Sequence, residues 1–340
     1  MNATIKLEKE KHFPVLIDKV ISIISPHYGG TFIDCTFGQG GYSRKILEFK
    51  KNKVIAIDRD IDTRKIANKF KKNFKDCFNF DNKKFSEVIN LKYKIDNLKG
   101  IIFDLGYSTN QIKDLKKGLS FNSSGKLNMK MGLNDFSANE AINNLQQRSL
   151  EKIFKFFGEE IKSKSISKQI IKSRKNKQLN TEDLVNIINI IKKKKYSKTH
   201  NATKVFQALR IFVNKEISEL IYGLINSFKI LPLGGVIVVV SFHSIEDKIV
   251  KFFFKNYSEF KNTSRYLPSA IIKKNLFKLI NRKPILPSAK ELNNNPPSRS
   301  AKLRYAIKIN EGSDFSEFLK KFQNLLNIEN LSEELWKKLY

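Results

Sequence analysis

Between Gly30 and Asp58 the chain runs T-F-I-D-C-T-F, then G-Q-G-G, then Y-S-R-K-I-L-E-F and, after a short polar link, K-V-I-A-I-D. An apolar stretch of strand length, a glycine turn, an amphipathic stretch and a second apolar stretch spell a βαβ unit. Parallel strands joined through a helix require a sheet with helices on its faces, so this segment restricts the fold to the α/β class. Thr63 to Phe70 reads as the next helix. Further strands are expected at Gly100 to Leu105, at Gly235 to Ser241 and, with alternating character, at Ala301 to Ile309. Together they predict a parallel, Rossmann-like sheet covered on both sides.

The stretch from about Ile112 to Lys204 has no comparable strand run. Helical periodicity fills Leu150 to Phe157, Ile161 to Ile171 and Leu184 to Ile191. A chain of 340 residues exceeds one ordinary domain of about 150. The expected division is a discontinuous sheet domain over 1–111 and 205–310, an inserted helical domain over 112–204 and a C-terminal helical tail over 311–340. Hydrophobic residues make up 41% of the chain and include 27 Phe, so a packed core is readily built.

The formal charge of +31 points to a polyanionic partner, because such an excess raises the local concentration of nucleic acid and speeds encounter. Biased codon usage is the competing account. Clustering favours the first reading: Lys162, Lys164, Lys168, Lys172, Arg174, Lys175 and Lys177 follow one another without an acidic residue, and Lys192 to Lys195 come soon after. The longest apolar stretch, Val236 to Phe242, is far short of the roughly 18 residues that span a bilayer. Met1 to Lys11 mixes Lys with Glu and has no apolar core, unlike a secretory signal. A cytoplasmic location without membrane contact is therefore expected. The two cysteines, Cys35 and Cys77, form no C-x-x-C pair, and no metal is expected.

Candidate binding residues follow from the βαβ unit. Glycines at 38, 40 and 41 let a backbone turn pass close to a ligand, as a plain tight turn or a cofactor loop. Asp58 closes the next strand about twenty residues on, where a carboxylate can accept the hydroxyl hydrogens of an adenosine ribose. Asp104, in F-D-L-G-Y-S, ends a third strand and opens toward the same crevice. Phe85 could cover an adenine ring or simply join the core. These residues do not separate adenosylmethionine from a dinucleotide; the late strands suit the six-plus-one sheet of methyltransferases better, by analogy of fold.

Several strings together resemble the bacterial 16S ribosomal RNA cytosine-N4 methyltransferases and their organellar relatives, over about residues 12 to 308. They are H-F-P-V-L-I-D at His12, D-C-T-F-G-Q-G-G at Asp34, A-I-D-R-D at Ala56 and D-L-G-Y-S at Asp104. Further on come F-Q-A-L-R-I at Phe206, G-G-V-I-V-V-V-S-F-H-S-I-E-D-K at Gly234 and N-P-P-S-R-S-A-K-L-R at Asn295. The resemblance implies a seven-stranded class I methyltransferase sheet with an inserted helical domain, and S-adenosylmethionine as cofactor. It implies that Gly40, Gly41 and Tyr42 contact that cofactor, that Asp58 holds its ribose, and that Phe85, Asp104 and Gln111 complete the pocket. The implied substrate is the exocyclic N4 amine of a cytosine in small-subunit ribosomal RNA, naked or in the assembled subunit; a homodimer is left open. Tyr42 stands where His is usual, Asn110 where Pro, Asn128 where Asp and Ser298 where Ala.

An exocyclic amine is a poor nucleophile because its lone pair is delocalised into the ring, so the site must orient it and accept its proton. Asp104 is one candidate acceptor. Ser241, His243 and Ser244 are candidates for the target pocket, with Phe242 or Tyr107 stacking on an extruded base; His243 could equally cap the following helix. Arg299, Lys302 and Arg304 could hold phosphates or be solvated strand charges, and His12 could order the pocket floor or merely pack. Related N4 and N6 enzymes place a Pro-Pro-aromatic string where Asp104-Leu105-Gly106-Tyr107 stands here. The rivals from other classes are a catalytically silent ribosome-assembly factor, an NAD-dependent oxidoreductase and a DNA methyltransferase.

Overall fold

The computed structural model of the chain describes residues 14–107, 111, 114, 117–121, 127–134, 136–193, 200–258 and 275–339. Helix α1 (Ile17–Ile24) leads into β1 (Gly30–Asp34), the glycine turn, α2 (Gly41–Leu47) and β2 (Asn52–Ile57). The two strands pair in parallel with Phe32 opposite Val54 and Ile33 opposite Ile55, which is the βαβ unit anticipated from the sequence. Then follow α3 (Arg64–Phe74), β3 (Phe78–Asp81) and β4 (Leu98–Asp104). A helical run comes next: α4 (Ala138–Asn144), α5 (Gln147–Phe157), α6 (Ser163–Ser173), α7 (Thr181–Lys192), α8 (Thr203–Asn214) and α9 (Glu216–Ile230). The chain returns to the sheet with β5 (Val236–Ser241), α10 (Ser244–Asn256), β6 (Phe277–Lys278), α11 (Ala289–Asn294) and β7 (Lys302–Lys308), and ends in α12 (Ser316–Leu339).

Among the described residues the sheet has seven strands in the order β3-β2-β1-β4-β5-β7-β6. Neighbours pair in parallel from β3 to β5, whereas β7 runs antiparallel to both β5 and β6. This is the Rossmann-like six-plus-one sheet. The strands β3 and β6 were not anticipated, because four residues and two residues are too short to show a period.

Alternation along each strand divides the core between the two faces of the sheet. Phe32, Val54, Ile102 and Val238 point to the side carrying Phe70 and Ile46. Ile33, Ile55, Phe103 and Val239 point to the other, where Leu209, Leu220 and Leu224 of α8 and α9 pack. The apolar stripes of α5, α6 and α7, including Phe154, Ile166 and Leu184, continue that same cluster without a break. Side-chain caps set the starts of two of these helices: Ser137 and Glu140 form a reciprocal capping box on α4, and Asn180 and Asp183 form one on α7.

Chain order in the sheet reverses between β1 and β4. In open α/β sheets the crevice outside the carboxyl ends of the strands at such a reversal is where ligands bind. Among the described residues no helix is long and apolar enough to cross a membrane.

Candidate active site

That crevice is a cavity of about 1300 Å³, walled by the segments that leave β1, β2, β4 and β5 and by α8 and α9. On the β1 side Gly38 has φ +50° and Gly40 φ +75°, conformations that a residue with a Cβ adopts only under strain. At Gly40 an added Cβ would also run into the rings of Phe70 and Phe37, so position 40 has no room for a side chain. The Gly38 amide donates to Asp58 Oδ2 at 2.7 Å and the Asp60 amide to Asp58 Oδ1 at 2.8 Å. Burial pushes the Asp58 carboxyl up to about 6.

Asp34, at the end of β1, is wholly buried; its Oδ2 accepts from the Ser43 hydroxyl at 2.7 Å and its Oδ1 from the Thr36 amide at 3.3 Å. Thr36 in turn accepts the Asp104 amide on its hydroxyl at 2.7 Å, which ties the end of β4 to the glycine turn. Asp104 Oδ1 is buried and has no hydrogen-bond partner, although the residue lines the cavity. Burial first, and then the nearby Asp34 and Glu246, push the Asp104 carboxyl well above the usual range. An orphaned carboxylate oxygen thus faces the cavity beside the glycine-rich turn, where a bound polar group can satisfy it.

The opposite wall holds a charged group that sequence reasoning did not single out. Arg210, on α8, is buried; its guanidinium donates to Glu216 Oε2 at 2.8 Å and lies 4.5 Å from the Tyr107 ring centroid. Glu246, on α10, accepts the Phe242 amide at 2.8 Å, and its Oε1 lies 3.0 Å from His243 Nε2. Burial alone would raise the Glu246 carboxyl, but His243 and then Arg210 outweigh it and hold this acid below its usual range. The ligating atoms of Glu216, His243 and Glu246 lie within 4.8 Å of one another, and the Arg210 charge beside them already offsets one carboxylate.

The cavity gathers Gly41, Tyr42, Asp58, Phe85, Asp104, Gln111 and His243 from the expected residues. Tyr42 is buried, and its hydroxyl donates to the Val15 carbonyl, so the side chain anchors the N-terminal segment. Phe85 meets Phe103 edge-on with ring centroids 5.4 Å apart. Gln111 donates to Asp60 Oδ2 at 2.7 Å. His243 caps α10, its Nδ1 accepting the Glu246 amide at 3.4 Å. Gly40 and Ser241 are not among the lining residues; the Ser241 hydroxyl points to the Lys302 carbonyl at 3.3 Å. Arg299 lines the cavity, whereas Lys302 and Arg304 both pair with Asp247. Ser298 is buried and donates to the Asn295 carbonyl at 2.7 Å. His12 and Asn110 lie outside the described residues.

Part of the basic run is structural. Arg174 donates to the Ile142 and Leu145 carbonyls at the C-terminal end of α4, and Lys192 pairs with the buried Glu160 at 2.7 Å. Lys162, Lys164, Lys168, Lys172 and Lys175 are exposed along α6 and at its two ends. Lys194 and Lys195 lie outside the described residues.

Comparison with known proteins agrees with this geometry. The MraW methylase family model matches residues 9–309. Curated relatives called "Ribosomal RNA small subunit methyltransferase H" include one from Orientia tsutsugamushi (strain Ikeda), 39% identical over 314 residues, covering 88% of this chain and 99% of the relative. The relative of that name from Ehrlichia chaffeensis is 38% identical over 304 residues, covering 88% of this chain and 100% of its own. The one from Wigglesworthia glossinidia brevipalpis is 43% identical over 308 residues, with 88% and 99% covered. The match spans all seven strands and the residues of the cavity, and the chain belongs to the MraW methylase family.

Proposed function

We propose that this protein transfers a methyl group from S-adenosylmethionine to the exocyclic N4 amine of a cytosine in small-subunit ribosomal RNA. The observation that carries the reading is the unpartnered Asp104 oxygen, buried between the glycine turn on one side and the Tyr107 and Arg210 wall on the other. When bound, the cofactor supplies an electrophilic methyl on a sulfonium centre.

The residues of the chain divide the remaining work. Gly38, Gly41 and the amides around them shape the seat for the methyl donor, and Asp58, fixed by two backbone amides, keeps lone pairs for the ribose hydroxyls. Phe85 covers the adenine. Tyr107, backed by Arg210, and Phe242 offer ring faces for an extruded base. Asp104 accepts a hydrogen from the amine, so the nitrogen lone pair turns toward the methyl as the proton leaves for the carboxylate. Its raised basicity suits it to that task, and a neighbouring sulfonium favours its ionised form. His243 and Glu246 hold the base edge. The inserted segment 112–204 serves RNA recognition, with the exposed lysines of α6 taking phosphates on its solvent side.

The test is transfer of labelled methyl groups from S-adenosylmethionine by the purified protein to small-subunit RNA, offered naked and in the assembled subunit. The modified nucleotide is then identified, and methylated cytosines are mapped in cells with and without the gene. N4-methylcytosine in one of the two substrates is expected. A protein that binds the donor but modifies neither RNA would be an assembly factor instead.

A further inference from the structure

The terminal helix α12 begins at Ser316, beyond residue 309 where the family match ends, yet it bonds to α9, a helix that walls the cavity. Phe318 is buried in the core with its ring centroid 4.9 Å from that of Phe253, which fixes the first half of the helix. Three turns on, Glu329 is 1% exposed, and its two carboxylate oxygens accept the amides of Ile217 and Ser218, each at 2.8 Å.

Those amides belong to the first turn of α9, whose N–H groups have no partner within the helix. The residue in the N-cap position, Lys215, is left-handed at φ 51° and offers no side-chain cap. Glu329 supplies the missing cap from 112 residues away, and the Lys215 ammonium pairs with Glu333 one turn further along α12. Burial pushes the Glu329 carboxyl up to about 8, so the cap works through hydrogen-bond acceptance rather than through charge.

The same first turn of α9 carries two groups of the cavity. Glu216 holds Arg210, and Arg210 lies against the Tyr107 ring. Glu219 lines the cavity and accepts the Ser86 amide at 3.4 Å, next to Phe85. If α9 shifted at its start, the base-facing wall would shift with it.

We propose that Glu329 is a positioning residue for methyl transfer: by capping α9 from the C-terminal helix it fixes Glu216 and, through Arg210, the Tyr107 ring on which the target base rests. This rests on the functional reading given above. The terminal helix is thereby a working part of the active site, supplied by a segment beyond the matched family region.

The experiment compares Glu329→Ala, Glu329→Gln and Glu329→Asp in the full chain, at temperatures where circular dichroism shows each to be folded. Donor affinity by calorimetry should fall by less than kcat does, because the glycine turn and Asp58 are untouched and α9 reaches the donor pocket only through Glu219 and the Ser86 amide beside Phe85. The kcat for RNA methylation should fall roughly tenfold in Glu329→Ala, as expected when a positioning shell loosens. Glu329→Gln keeps one acceptor oxygen but sets its NH2 against the second N–H, so it should recover only part of that loss. Glu329→Asp keeps the carboxyl group but is one methylene too short to reach both amides, and should also fall between Glu329→Ala and the parent. Unchanged kcat and KM in folded Glu329→Ala or Glu329→Asp would overturn the proposal, as would a loss that merely tracks the fraction unfolded. Hydrogen exchange separates this result from a failure of the functional reading itself. With no RNA present, Glu329→Asp should speed exchange across Arg210–Glu219 and at Tyr107, and unchanged exchange at Tyr107 refutes the coupling whether or not the parent methylates RNA.

Discussion

The Gly38 amide donates to Asp58 Oδ2 at 2.7 Å, so the turn after β1 and the acid at the end of β2 form a single hydrogen-bonded unit. The acid thus shapes the loop as well as facing the cavity. Replacing Asp58 with Ala removes the ribose acceptor and leaves the Gly38 and Asp60 amides without their carboxylate. Hydrogen bonds to a charged group contribute about 1.5–3 kcal/mol each, so donor binding should weaken by roughly a hundredfold or more. Calorimetric titration with S-adenosylmethionine measures this directly, and affinity within about threefold of the parent would remove Asp58 from the cofactor site.

The pH response follows from the same residue. In the folded protein burial raises Asp58 to about 6 from an ordinary value of 3.8. The folded state therefore holds a proton that the unfolded chain has already released, and this group's contribution to stability falls as pH climbs from about 4 to about 6, then levels off. Asp34, also pushed up to about 6 by burial, adds in the same direction. Donor affinity should move oppositely, rising through about pH 6 as Asp58 ionises and becomes an acceptor for both ribose hydroxyls. Thermal melts and calorimetry over that range should show the two trends crossing; donor affinity that is flat with pH would contradict the assignment.

The sequence made the donor side legible because its signals are local. The strand period, the glycines and the acid near Asp58 all fall within one βαβ unit, and periodicity reports such a unit directly. On the base side Tyr107, Phe242 and His243 are legible in the same way, but the buried charges behind them are not, for the opposite reason. Arg210, Glu216 and Glu246 come from three helices, and burial of their charges is decided by which helices meet. Arg210 and Glu246 do sit within F-Q-A-L-R-I and S-I-E-D-K, the strings that carried the family resemblance, but no spacing rule says that an arginine and two glutamates will converge. Ser241 shows the limit from the other side: strand alternation leaves open which way a strand-end hydroxyl turns, and here it turns toward Lys302 on β7.

His243 can be tested as cap or as participant. Its Nδ1 caps α10 and its Nε2 faces Glu246, so His243→Ala should cost about 1 kcal/mol through the cap alone. If the ring also orients the base edge, the single-turnover methylation rate of the folded variant should drop by more than about tenfold. A full single-turnover rate alongside a lowered melting temperature would assign His243 to the cap only.

Asp104 provides the sharpest chemical test, because its neighbours leave it little structural work. Its amide is taken by Thr36, and its Oδ1 has no partner, so Asp104→Asn preserves volume and polarity while removing the proton acceptor. The variant should fold, but donor binding should weaken because the carboxylate that faces the sulfonium is gone, so the rate is read at saturating donor. Its single-turnover rate should fall by about a hundredfold or more, the usual contribution of a positioned general base. Because the acceptor must be ionised to work, the parent's rate should decline as pH is lowered, whereas the residual rate of Asp104→Asn should lose that dependence. A variant that retains both the parent's rate and its pH profile would show that the amine loses its proton to another group.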